Sequence, residues 1–459
     1  MSRHAGPPSR SEEHLPTADE LADFLSGQRW FSGRGGPVEV VEVRTLARLH
    51  EDPVVEVLLV TARPADGVEA RYQVVVECPS GPTERLDHVR IGAGDCYDGL
   101  HDREVTHLWP ALMLAEASVG DIAFHHVPDA GPQQIPTDRP SLVLTGEQSN
   151  TTLAYGDAMA LKVYRQVAPG VNPDIEVHLA LHSVGCPHIA TPLGWADSPD
   201  GVLAFLQEFL VGGTEGGESA QASVRDLFVE ADLHPSDVGS DFAAEAERLG
   251  RVTAEMHASL REALPTSVLE PEQVAARVAA MQANLAEAVR EVPALEPHAA
   301  GLERAYADLL ALARGGQKVD VQRVHGDFHL GQTLRTPAGW KVLDFEGEPA
   351  RPADERRALD TPLRDVAGLL RSLDYAARLV LLDHPDDPQR AYRAAEWVEH
   401  NSDAFCTGYA AAAGRDPRED EVLLRALLTQ KAVYEVVYEA RMRPSWVVLP
   451  LAAVERLAA

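Results

Sequence analysis

Lysine is scarce. Lys162, Lys318, Lys341 and Lys431 are the only four among 459 residues, and the other basic side chains are arginine. Basic charge as a whole is also short: 41 Lys and Arg face 71 Asp and Glu, a formal net charge of -30. Such a balance repels phosphate backbones and anionic lipid, so neither nucleic acid nor a membrane is expected as a partner. Cysteine is rare. Cys78, Cys96, Cys186 and Cys406 are scattered without CxxC spacing, so neither a zinc site nor a disulfide framework is expected. No apolar run reaches the roughly 20 residues that span a bilayer. The opening MSRHAGPPSRSEEH has no apolar core region and does not read as a signal peptide. A reducing cytoplasm is the expected compartment. No internal repeat is visible.

What is present is an ordinary globular composition, 45% hydrophobic and 24% charged. The length allows two or three domains with real cores. Residues 1–17 read as a disordered polar tail. The stretch TADELADFLSGQ reads as a helix. VVEVLLVTARP and ARYQVVVECPS read as half-buried strands, from the alternation of Val55, Val57 and Leu59. Turn residues crowd 127–140, which reads as a linker. From there SLVLTG, TTLAY, AMALKVYR and HIATPLGWADSPDGVLAFLQEFL read as strands, with NPDIEVHLALHSVG as an inserted helix. Beyond about 213 helical stripes dominate, such as Leu249, Met256 and Leu260, then Val274, Val278, Met281 and Leu285. The order predicts an α+β chain: a cap domain over 18–135, a β-rich lobe over 136–212 and an α-rich lobe over 213–459.

Within the α-rich lobe, RVHGDFHLGQTLRTPAGWKVLDFEGEP, residues 323–349, interrupts the helices with short strands. Two apolar runs each end in an aspartate, Asp327 and Asp344, and an amide, Gln332, follows Asp327 by five positions. Buried carboxylates are costly without a cation. One carboxylate to accept a hydroxyl proton, and a second with a side-chain carbonyl to hold Mg²⁺, is the layout of phosphoryl transfer. The five-residue spacing matches the aspartate and metal-binding amide of a kinase catalytic loop. Two readings compete: Asp327 and Asp344 simply cap turns, or HGDFH is a His-x-Asp-x-His zinc site, for which no Cys or further His stands at ligand spacing. Lys162, in ALKVYR, is placed to touch ATP phosphates, with Glu176 as its ion-pair partner; an exposed strand lysine is the alternative. GEQSNTT offers Ser149, Asn150 and Thr151 to phosphates, unless it is only a hairpin. The backbone of Glu208 to Leu210 is a candidate for adenine. His257 reads as a satisfied core histidine, and Asp365, on a core helix, as a cap or an indirect support of the site.

The runs HGDFHLGQ, DFEGEP and RDVAGLLRSLDYAA, with EQSNTT, NPDIE and YEVVYEARMRPSW, resemble the maltokinases of the aminoglycoside-phosphotransferase-like, eukaryotic-type kinase superfamily. QRWFSGRG resembles the start of their cap domain. The resemblance implies a bilobal protein-kinase-like fold with an N-terminal cap. It also implies transfer of the γ-phosphate of ATP to the anomeric hydroxyl of maltose, feeding glycogen and α-glucan synthesis. Asp327 would be the base, Gln332 and Asp344 the Mg²⁺ ligands with Glu346 at a second metal, and Lys162 the phosphate contact. His325, Tyr434, Tyr438 and Arg441 are candidates for the sugar, with packing the alternative for the last three. A monomer is expected, with a glucan-pathway enzyme as a further partner. FLVGGTEGGESAQASVRDLF departs from the family by being small and polar. A glucosamine kinase, or a kinase-fold binding protein without turnover, are the other readings.

Overall fold

The computed structural model describes residues 15–31, 33–65, 67–127, 135–137, 139–144, 150–230, 233–348, 353–384 and 387–459. Residues 1–14 of the expected tail, most of the 127–140 linker and Ser149 lie outside them. The described chain forms two compact units, Met1–Ile175 with Ala190–Val211, and Glu176–Ile189 with Gly212–Ala459.

In the first unit Thr17 caps helix α1 (Ala18–Gly27), its hydroxyl on the Glu20 N–H while Glu20 reaches back to the Thr17 N–H. Strands β1 (Val38–Glu51), β2 (Val54–Pro64) and β3 (Ala70–Cys78) pair antiparallel in sequence, and β4 (Tyr97–Asp98) adds to β3. β2 is not half-buried as its alternation predicts. Val55, Val57 and Leu59 enter one apolar core while Leu58, Val60 and Ala62 enter another. Both faces are covered, so the polar positions the pattern needs are few. Nor are all cysteines free, as expected above: Cys78 and Cys96 form a disulfide. The register that pairs Val76 with Asp98 and Glu77 with Tyr97 sets Cys78 against Cys96 one step further on. Strand pairing, not sequence spacing, makes that bridge.

Short helices α2 (Arg103–Thr106) and α3 (Leu108–Leu114) lead to β5 (Ser118–Val119), β6 (Ile122–His126), β7 (Ser141–Val143), β8 (Thr151–Tyr155) and β9 (Met159–Val163). After β10 (Gln166–Val167), which returns to β3, and helix α4 (Pro173–Ser183), strands β11 (Pro192–Ser198) and β12 (Gly201–Glu208) complete a seven-stranded sheet. Its order is β5-β6-β11-β12-β9-β8-β7, antiparallel throughout. β6, before the expected linker, thus pairs with β11, after it.

The second unit carries β13 (Thr214–Glu215), α5 (Gly216–Val229), α6 (Ala243–Ala263), β14 (Thr266–Leu269), α7 (Pro271–Glu291), α8 (Ala299–Arg314), β15 (Val319–Gln322), β16 (Thr333–Thr336) and β17 (Gly339–Val342). Helices α9 (Ala353–Arg356), α10 (Leu363–Leu381), α11 (Pro388–Ala413), α12 (Glu421–Met442) and α13 (Val448–Ala458) follow. The α6 and α7 stripes are buried in one core with Val366 and Leu369 of α10 and Leu427 and Val436 of α12. No described helix is long and apolar enough to cross a membrane.

Two glycines decide how closely helices approach the 326–334 loop. A Cβ on Gly216 would overlap Thr333 Oγ1 and come within 2.9 Å of the Leu330 carbonyl oxygen. A Cβ on Gly368 would overlap the Phe328 carbonyl oxygen. Close packing therefore explains Gly216 within the small, polar 209–228 stretch, whereas Gly212, Gly213 and Ala222 are exposed. Gly368→Ala should destabilise the fold by about 1–3 kcal/mol, the usual cost of overpacking, read from urea unfolding midpoints. An unchanged midpoint would mean that α10 has room to shift.

Candidate active site

Asp327 sits in the loop between β15 and β16. Asp365, on the first turn of α10 and 1% exposed, ties that loop down. Its Oδ2 accepts the His325 N–H at 2.8 Å and the His257 Nε2–H at 3.0 Å, and its Oδ1 accepts the Gly326 N–H at 2.9 Å. Burial pushes the Asp365 carboxyl up, but His257 and the loop amide more than reverse it, so it is held below the ordinary range. Gly326 has φ +84°, which a glycine adopts without strain. The Arg364 Nε–H donates to the Gly326 carbonyl at 3.2 Å.

His325 is 1% exposed. Its Nε2–H donates to the Leu343 carbonyl at 2.8 Å, and its ring lies against Phe328 and Phe345. It thus fixes the chain just before Asp344 rather than presenting a nitrogen to a ligand. The Leu343 N–H donates to the Gln332 carbonyl, continuing the β16–β17 register beyond the Thr333–Val342 pair. That register brings Gln332 to Asp344, with Nε2–H donating to Oδ2 at 3.2 Å. Asp344 has φ +64°, a left-handed conformation that costs a non-glycine residue roughly 1–2 kcal/mol. The Gln332 amide oxygen and the Asp344 carboxylate are the oxygen donors a hard divalent cation such as Mg²⁺ takes. Glu346 follows in the same turn, its carbonyl accepting from Arg356 at 3.4 Å.

Lys431, on α12, belongs to none of the motifs that mark the site. Its Nζ donates to Asp327 Oδ1 at 3.0 Å and lies 3.6 Å from Glu348 Oε1. Burial raises the Asp327 carboxyl, but Lys431, then His329, more than offset it and hold it at about 2. The same contacts raise the Lys431 ammonium against its own burial. Burial pushes His329 down, although the Asp327 and Asp344 carboxylates both act on it in the opposite direction. The scarcity of lysine was the signal that could have found Lys431, but helix α12 gives no hint of a partner 104 residues away.

Asp327 and Lys431 line a cavity of about 710 Å³ within the second unit, together with Glu348, Tyr434, Asn284 and Arg441. Glu348 is 4% exposed and also pairs with Arg364 at 3.1 Å. Arg364 continues to Asp360 at 3.1 Å, and Asp360 to Arg277 at 2.5 Å. The wall is thus an alternating row of charges. Tyr434 stacks on Tyr438, and Lys431 Nζ stands 4.9 Å from the Tyr434 ring centre. Arg441 is held by Glu291 at 2.5 and 2.6 Å. An ionised carboxylate in such a cavity can accept a hydrogen bond, and then the proton, of an alcohol.

In the first unit Lys162, on β9, donates to Asp174 Oδ2 at 3.0 Å. The acid is Asp174 and not the expected Glu176, which lies 3.0 Å from Arg323 in the second unit. The Thr151 hydroxyl accepts from the buried Arg165 at 2.7 Å, and Asn150 precedes it. The Glu208 N–H is committed to the Thr191 carbonyl, while Leu210 stands half-buried beyond β12.

Residues 144–415 match the phosphotransferase enzyme family, and residues 24–102 match the maltokinase N-terminal cap domain. A glucosamine kinase of Streptacidiphilus jiangxiensis is 31% identical over 79% of this chain and 83% of its own length. One of Mycolicibacterium smegmatis is 28% identical over 70% and 80%. The solved structure of a glucosamine kinase with glucosamine, ADP and inorganic phosphate shares the fold. Its TM-score is 0.67 at 24% identity, covering 96% of this chain and all of the other.

A carboxyl held at about 2 stabilises the fold above about pH 4, and that contribution is lost as pH falls toward 2. Lys431→Met removes the largest downward pull and leaves burial acting upward. In that variant Asp327 should titrate above its ordinary range, and its contribution should instead be lost as pH rises. Carboxyl NMR titration with a pH series of urea unfolding reads both. An Asp327 still near 2 in the variant would assign the effect to His329.

Proposed function

The chain belongs to the phosphotransferase enzyme family, and from that premise we propose that it is an ATP-dependent sugar kinase acting on maltose at its anomeric hydroxyl. The observation that carries this reading is the Asp327 carboxylate, kept ionised by Lys431 on the wall of an acceptor-sized cavity. Asp327 accepts the hydrogen bond of the sugar hydroxyl and takes its proton as the phosphoryl group arrives. Lys431 keeps that carboxylate charged and aimed. Gln332 and Asp344 hold Mg²⁺, which when bound neutralises phosphate charge. Lys162 is assigned to the phosphates of ATP. The aromatic face of Tyr434 suits the apolar C–H face of a sugar, and Glu348 and Asn284 suit its hydroxyls.

Maltose is supported by three things: the match of the cap to maltokinases, a cavity with room for more than one ring, and the Lys431 ammonium at the Asp327 end, which opposes a substrate ammonium. Glucosamine is the second reading, favoured by the names of the two relatives. A panel of sugars with ATP and Mg²⁺, read as ADP release, separates them. Turnover of maltose is expected, and turnover of glucosamine without maltose would replace the reading. Asp327→Asn should lower kcat by about 10²–10⁴ with nucleotide binding retained, consistent with loss of a general base. Asp344→Ala should remove the Mg²⁺ dependence of nucleotide binding, and an unchanged Mg²⁺ titration would take the metal elsewhere.

A further inference from the structure

A second recess of about 330 Å³ lies within the second unit, lined by Glu176, Leu264, Pro265, Arg323, Arg357 and Leu359. Three of these residues are charged and three are apolar. Two guanidiniums face one carboxylate there: Arg323 Nη2 is 3.0 Å from Glu176 Oε2, and Arg357 Nε is 3.8 Å from the same oxygen. One positive charge is left over. The Arg323 side chain is only 7% exposed, yet its Nε has no hydrogen-bond partner among the described residues. Buried guanidinium donors are rarely left unmatched. Burial lowers the Arg323 pKa; the Glu176 carboxylate opposes that, and the neighbouring Arg357 adds to it. Arg357 stands at the rim, 39% exposed, so the recess is open to solute on that side.

We propose that this recess binds a small oxyanion of the phosphate class between Arg323 and Arg357. Guanidinium forks match the geometry of phosphate oxygens, and two of them flank this recess, one with an unused buried N–H; Glu176 Oε2, also without a hydrogen-bond partner among the described residues, neutralises only one of the two cations. Leu264, Pro265 and Leu359 leave apolar room for a carbon body, so the shared chemistry covers free phosphate and a phosphomonoester. Arg323 directly follows β15, four residues before Asp327, so an anion here braces the strand that carries the loop. The proposal does not depend on the sugar, the nucleotide or turnover.

Isothermal titration of the full chain with inorganic phosphate and, separately, with glycerol 3-phosphate tests it. Saturable uptake is expected. It should weaken at least tenfold in Arg323→Gln and in Arg357→Gln and stay unaltered in Lys162→Ala, which reports anion taken up at the proposed ATP site. Arg357 is on the rim, so its variant carries the test should Arg323→Gln not fold. Tighter uptake of the ester would mark an organic phosphate as the occupant, and tighter uptake of phosphate the free ion. Absence of saturable uptake, equal affinity in Arg357→Gln, or loss in Lys162→Ala alone would overturn the proposal.

Discussion

A carboxylate enclosed by protein must be met by a cation or take up a proton. Asp327 is met by Lys431, and much of the second unit can be read as the scaffold of that 3.0 Å contact. The loop carrying Asp327 has no regular hydrogen-bonding pattern of its own. Asp365 supplies the acceptors for its amides and is itself kept ionised by His257. Helix α10 therefore holds the loop and α12 holds the charge, and one apolar core locks the two helices together.

The same need propagates along the cavity wall. Lys431 leans on Glu348, Glu348 on Arg364, Arg364 on Asp360 and Asp360 on Arg277. Each member is costly alone and tolerable with its neighbours. Deleting one leaves another charge unmatched, so the effects of single substitutions along the row will not add. The row also keeps the cavity polar and shaped before any ligand arrives, which favours binding of a hydroxylated molecule over an apolar one. Arg323 with Glu176 and Arg357 departs from this alternation, because two cations there share one acid.

The first unit solves a different problem. β2 is covered on both faces by separate cores, so its polar neighbours must find partners inside. Arg165, 1% exposed, pairs with Asp98 at 2.6 Å and with the Thr151 hydroxyl, and lies 4.7 Å from the Trp30 ring centre. The end of β8 is thereby fixed beside the strand that carries Lys162.

Local features are legible in one dimension: the helix that begins after Thr17, the period of the α6 and α7 stripes, and the strand runs of β2, β3, β8 and β9. Asp327, Gln332 and Asp344 stood out because five-residue spacing and polar residues at the ends of apolar runs are visible in one dimension. Their fold was legible too, through motifs that cover much of the chain. Which charges meet was settled by packing in three dimensions. It put Lys431 on Asp327, Asp174 instead of Glu176 on Lys162, and Cys78 on Cys96. It also made His325 a brace and Gly216 a point of close packing. The reason is that spacing encodes the pitch of a helix or the pleat of a strand. A contact across 104 residues depends on the register and crossing of elements, which no local pattern records.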